Sequence, residues 1–251
     1  MAKPDHIELP TGEKIAILYE DRSVIAIDKP RDWMLVPFSW QKTNRNLQAA
    51  LISSIAAKDF WARSRGLRFL RFVHRLDAET TGILLLAKSQ GAVASYGALF
   101  ESREMEKIYL AVVGGAPKQT EWTCRLKIGQ DAKEHGRMRV DARHGKDAET
   151  HFRVLQAGPE RALVEARPLT GRTHQIRVHF AASGHPVVGD ELYGKSEPPA
   201  TAQRRRRPAN ENLGLRAIAL AYVDPFTRRR VEIRAPIEAF VREYGFELPK
   251  I

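Results

Sequence analysis

Residues 72–89 read Phe-Val-His-Arg-Leu-Asp-Ala-Glu-Thr-Thr-Gly-Ile-Leu-Leu-Leu-Ala-Lys-Ser. Phe72, His74 and Leu76 alternate with Val73, Arg75 and Asp77, the two-residue period of a strand. The polar stretch from Ala78 to Gly82 breaks the pattern, and the apolar run Ile83–Ala87 resumes it as a buried strand. Strand, turn, buried strand places the Asp77 carboxylate where a rigid sheet gives way to a loop, beside the cation of Arg75 and two hydroxyls. A short acid kept ionised on such an edge is suited to act as a nucleophile or base. An Asp in a D-x-x-T-x-G turn also serves simply to accept backbone amides and close the turn.

Outward from this stretch the pattern alternates between short strands and a few helices. Strands are expected at Ile15–Ile27 around the Lys29-Pro30 turn, and at Lys107–Val113, Glu121–Ile128, Thr150–Gln156 and Arg161–Arg167. Leu47, Leu51 and Ile55 recur at helical spacing, predicting a helix over Leu47–Ala57. Val93, Tyr96, Leu99 and Phe100 do the same for Gln90–Glu104. Thr173 is read as N-cap and Gly184 as C-cap of a helix over His174–Ser183, and Ile237–Tyr244 as a closing helix. Strands outnumber helices and are joined mostly by turns, which predicts an α+β chain with a mixed, mostly antiparallel sheet. No linker composition divides the chain. It reads as a lead-in over 1–14 and one domain over 15–251, interrupted at 195–213 by a basic loop expected to be flexible.

The chain has 251 residues, 43% hydrophobic and 28% charged, enough to bury a full core. A net charge of +11 favours a polyanionic partner. The single cysteine, Cys124, excludes internal disulfides and reads as a small core residue. No apolar run approaches transmembrane length and the first residues lack a signal-peptide core, so the expected location is cytoplasmic. His174 and His179 are five apart, which stacks them on neither a helix nor a strand, and no metal site is expected.

The motif words extend beyond spacing. His-Arg-Leu-Asp, two residues, Thr-Thr-Gly and an aliphatic run closely resemble the central motif of the RluA-type pseudouridine synthases. Asp28-Lys29-Pro30 resembles the family's opening motif, and Lys107–Gly114 its K-x-Y-x-A-x-V-x-G strand. The segments 145–154, 168–177, 184–190 and 215–236 follow in the family's order. Together the matches run from about residue 18 to residue 240. Thr81 stands where relatives usually carry Ser, and Arg216 where they tend to carry His, a change expected to touch RNA contacts more than chemistry.

The resemblance implies a single catalytic domain, a curved sheet with an RNA cleft, and no preceding S4-type domain. It implies isomerisation of uridine to pseudouridine in ribosomal or transfer RNA, with no cofactor and with RNA, not DNA or membrane, as partner of a monomer. Asp77 takes the place of the catalytic aspartate, Tyr109 that of the active-site tyrosine against the target base, and Arg177 that of the basic partner of the aspartate. Arg75 matches the arginine that enters the RNA helix when the nucleotide flips out; its alternative is an ion pair with Glu79. His74, Thr80, Arg172 and His174 are expected at the RNA surface. Arg204, Arg205, Arg206 and Arg207 read either as a phosphate-gripping arm or as solvated surface. Two other functions stay open: an RNA-binding protein on the same fold without catalysis, and a glycosidase pairing Asp77 with Glu79.

Overall fold

The computed structural model describes residues 3–35, 45–194 and 211–249. In chain order the elements are β1 (His6–Glu8), β2 (Lys14–Glu20), β3 (Val24–Lys29), α1 (Leu47–Ala56), α2 (Phe60–Arg63), β4 (Arg71–Phe72), β5 (Thr81–Ala87) and α3 (Gln90–Glu101). There follow β6 (Glu106–Gly114), β7 (Glu121–Cys124), β8 (Ile128–Gln130), β9 (Met138–Val140), β10 (Thr150–Ala157) and β11 (Arg161–Pro168). The chain closes with α4 (Gln175–Ala182), β12 (Leu215–Val223), β13 (Arg230–Arg234) and α5 (Glu238–Glu243).

These elements fall into two compact units. One joins Met1–Glu106 to Ala217–Ala235, the other Lys107–Arg216 to Pro236–Ile251. The chain passes between them at three places, each next to or within a strand, which is why no linker-like composition marks a boundary.

In the first unit the apolar runs of β3 and β5 are buried almost throughout, the mark of inner strands covered on both faces. The strand order is β1-β2-β3-β5-β12, with β4 on β5 and β13 on β12. Residues 6–8, expected in a lead-in, are therefore sheet: Ile7 pairs with Ile15 and is fully buried. Gly82, in the Thr-Thr-Gly motif, has φ +104° and lies so close to β12 that a Cβ would stand 2.1 Å from the Ala217 carbonyl oxygen. Tyr96 of α3 is fully buried, meets Tyr222 edge-on and donates its hydroxyl hydrogen bond to Asp224. The helix α1 begins at Asn46, whose side chain accepts from the Ala49 amide.

The second unit carries the antiparallel order β6-β11-β10-β7. Its core gathers Ala111, Val113, Phe152, Val164 and Phe180, and Cys124 is buried with them as expected. The strand expected over Glu121–Ile128 is broken into β7 and β8, because Ile128 leaves the sheet to pair with Val140 of β9. The helix α4 ends at Gly184 as the sequence indicates: φ is +81°, with Gly184 N–H to Ala181 O and His185 N–H to Phe180 O. Its start differs. The N-cap is His174 in the left-handed region, with no side-chain cap, so Thr173 does not play that part.

Candidate active site

Asp77 lies in the first unit, on a turn anchored at both ends. The strand that leads to it is shorter than its alternation suggests. The β4 ladder stops at Phe72, and Val73 N–H still bonds to Leu85 O. Thereafter a side chain takes over: His74 Nε2 accepts from Leu85 N–H at 3.0 Å, and its ring stacks on Phe100 at 4.6 Å. That nitrogen is a fixture of the sheet edge.

Past buried Leu76 the chain turns, with Asp77 O accepting from Thr80 N–H. The underside of this turn rests on Lys29. Its ammonium is fully buried and donates to Ala78 O at 2.7 Å, Thr80 O at 3.0 Å and Pro30 O at 3.0 Å. Ala78 O also accepts from Asp32 N–H at 2.9 Å. Burial pulls the Lys29 pKa down to about 8, against the counteracting charges of Glu79, Asp77 and Asp32. Asp77 itself is half-buried. Thr80, expected at the RNA surface, is buried. Arg75 is exposed and has no carboxylate partner among the described residues; the pairing with Glu79 is not formed.

Tyr109 and Arg177 belong to the second unit. Tyr109 pairs with Ala166 in the ladder and packs at the margin of the core, with Ala111 and Val113 on its face as the alternation requires. Arg177 on α4 is buried at 2% exposure and gripped at two points by Asp190, Nε to Oδ2 at 2.8 Å and Nη2 to Oδ1 at 2.9 Å. Asp190 Oδ1 also accepts from the amides of Leu192 and Tyr193, and the Tyr193 ring faces the Arg177 guanidinium at 5.4 Å. Asp190 and Tyr193 were given no role from sequence. In the sequence, Asp190 is marked only as the end of the Gly184–Asp190 motif.

Around them, Gln175 ties the approach to α4 in place. Its side chain accepts from Thr170 Oγ1 and Arg172 N–H and donates to Glu149 O and Thr150 Oγ1. Arg172 donates Nε to Asp147 O, and His174 Nδ1 meets the Tyr193 hydroxyl at 2.8 Å, so both expected RNA contacts also hold their own loops. His179 is buried with its ring nitrogens on Thr150 Oγ1 and Leu126 O, and burial lowers its pKa. Arg216 is buried and donates Nε to Pro236 O at 3.0 Å. Arg204–Arg207 lie outside the described residues, whereas Leu213, at the end of the expected loop, is buried.

A family model described as RNA pseudouridylate synthase matches residues 23–182. The Ribosomal large subunit pseudouridine synthase C of Vibrio cholerae is 35% identical over 90% of this chain and 67% of its own length. From the same organism, the Dual-specificity RNA pseudouridine synthase RluA is 31% identical over 80% of this chain and 78% of its own. The solved structure of Human RNA Pseudouridylate Synthase Domain Containing 1 shares 30% identity, with TM-score 0.67 over 89% of this chain and 84% of that one. The chain belongs to the RNA pseudouridylate synthase family, a family of RNA isomerases.

Proposed function

We propose that this chain isomerises selected uridines of ribosomal or transfer RNA to pseudouridine, with the base flipped out of its helix, Asp77 as the nucleophilic aspartate, and Tyr109 and Arg177 acting with it. The reading rests above all on the turn that carries Asp77. Three carbonyls of its surroundings are held by one buried ammonium, a costly arrangement that closing a surface turn does not require. Catalysis does require it, because a nucleophile misplaced by an ångström loses much of its advantage.

The reaction breaks the N1–C1′ bond, turns the uracil, joins C5 to C1′ and gives up the C5 proton to solvent while N1 takes one up. Product and substrate are isomers, so atoms and electrons balance without a redox partner. Asp77 supplies the anionic carboxylate; Tyr109 offers a ring to stack on the base and a phenol to help move the C5 proton. Arg177, already neutralised by Asp190, brings directed N–H donors more than added charge. The cytoplasm and a monomeric state complete the proposal.

The test is tritium release from cellular RNA whose uridines are tritiated at C5, with wild type beside Asp77→Asn. Asn keeps the shape and can close the turn, yet it cannot act as an anion. Release by wild type alone supports the proposal. Equal release by both proteins removes Asp77 from the chemistry, and RNA binding without release by either would leave a binding protein on this fold.

A further inference from the structure

Between Asp59 and Asp77 the chain carries arginines at 63, 65, 68, 71 and 75 and no acidic residue. Arg65 is spent internally, its side chain 3% exposed and bonded to Glu20, Trp61 O and Pro4 O. Arg63, Arg68, Arg71 and Arg75 are exposed, and none has a carboxylate partner among the described residues. Elsewhere on the surface, Arg125, Arg139, Arg153, Arg161 and Arg167 each have one, while Arg22, Arg103 and Arg229 have none among the described residues. What sets this segment apart is four such cations in thirteen residues with no acid between them. A run of uncompensated arginines repels itself, and a bound polyanion relieves that repulsion.

The same segment forms one wall of a groove of about 620 Å³. Arg71, Phe72 and Arg75 stand on this wall, and Gln48, Ala49 and Ile52 of α1 on the other. Gln48 Nε2 donates to Leu70 O at 3.2 Å, tying the two walls together, so the groove is formed without a ligand. Ile52 is 44% exposed, an apolar side chain set at the mouth of a cationic groove. Apolar surface for the faces of bases with guanidinium groups for the backbone is the combination that holds unpaired nucleotides. The groove ends at Arg75, two residues before Asp77.

We infer that this groove holds the single-stranded nucleotides adjoining the target uridine, with bases against Ile52 and Phe72 and phosphates on Arg71 and its neighbours. A protein partner is the competing occupant, but nothing in the groove offers carboxylate recognition beyond the same arginines, and its continuity with the Asp77 turn favours the RNA strand. The inference rests on the proposed RNA substrate, so its test reads binding rather than turnover.

Fluorescence anisotropy would follow a labelled single-stranded oligouridylate binding to Asp77→Asn protein and to Arg71→Ala and Ile52→Ser made in that background, across a salt series. Exposed Arg229, outside the groove, serves as control through Arg229→Ala. Arg71→Ala should weaken binding several-fold and reduce the log–log salt slope by about 0.7 for the lost phosphate contact. Ile52→Ser should weaken binding with the slope unchanged, and Arg229→Ala should match its parent. Parental affinity and slope in both groove variants overturn the inference, as does an equal loss in Arg229→Ala. Because the readout needs no catalysis, a failed tritium assay with intact groove effects would count against the isomerase reading alone.

Discussion

Arg177 and Asp190 form a two-point ion pair with side chains only 3% and 0% exposed. Two buried charges gain little as a pair over an apolar substitute, but stranding one of them is expensive. Its value here is direction: the fork fixes the guanidinium plane, and the Tyr193 ring closes one face of it.

Asp190→Asn should therefore destabilise the protein by about 3 kcal/mol, the low end for removing one partner of a buried pair. The Asn oxygen can still accept from the Leu192 and Tyr193 amides, so the loop persists and the damage falls on Arg177. Urea unfolding should show the loss. Tritium release should drop in folded protein while RNA affinity holds. Parental stability and turnover together would mean the pair orients nothing that matters.

Lys29→Met keeps the length of the side chain but takes the ammonium away from three carbonyl acceptors, at about 1–3 kcal/mol for each one left buried and unmet. Ala78 O retains the Asp32 amide, so the turn loosens rather than unfolds. Turnover should fall more steeply than the melting temperature. A variant that melts early but turns over normally would make Lys29 a stability residue only.

The same lysine predicts an alkaline signature. Its folded pKa is about 8 and its unconstrained value 10.5, so between those limits the unfolded chain holds the proton and the folded chain does not. Stability should then rise with pH across that window, by at most about 1.4 kcal/mol per pH unit. Lys107, likewise drawn to about 8 by burial, contributes in the same direction. Subtracting the profile of Lys29→Met from that of wild type isolates the Lys29 share; parallel profiles would refute it.

Gly82→Ala should fail to fold. The added Cβ would meet backbone, not a yielding side chain, at 2.1 Å, and φ is +104°. Loss of soluble, cooperatively melting protein is the expected outcome, and a melting temperature within a few degrees of the parent would contradict the packing of β5 on β12.

Tyr109→Phe separates ring from hydroxyl. Stacking survives, so RNA affinity should stay close to the parent while turnover drops; Tyr109→Leu should lose both. Wild-type turnover in Tyr109→Phe, measured by tritium release, would leave the phenol without a chemical part.

Local pattern was enough for much of this molecule. The alternation through Lys107–Val113 put Tyr109 on the face of Ala111 and Val113, and it lies there because side-chain direction along a strand follows position alone. Helices α1 and α3 followed from their apolar spacing, and Gly184 marked an end of helix that only a residue tolerant of positive φ satisfies well. Motif words located Asp77 on its turn. Tertiary structure alone decided what surrounds these groups, since a hydrogen-bond partner is set by where the chain returns. Lys29 reaches Ala78 from 49 positions away, and Arg177 finds Asp190 thirteen residues on. The strand before Asp77 kept its alternation in sequence yet stopped early, because a histidine ring took the Leu85 amide that a ladder carbonyl would have accepted. Thr80, polar and three residues past the acid, is buried, and its carbonyl accepts from the buried lysine, neither of which its polar side chain announces.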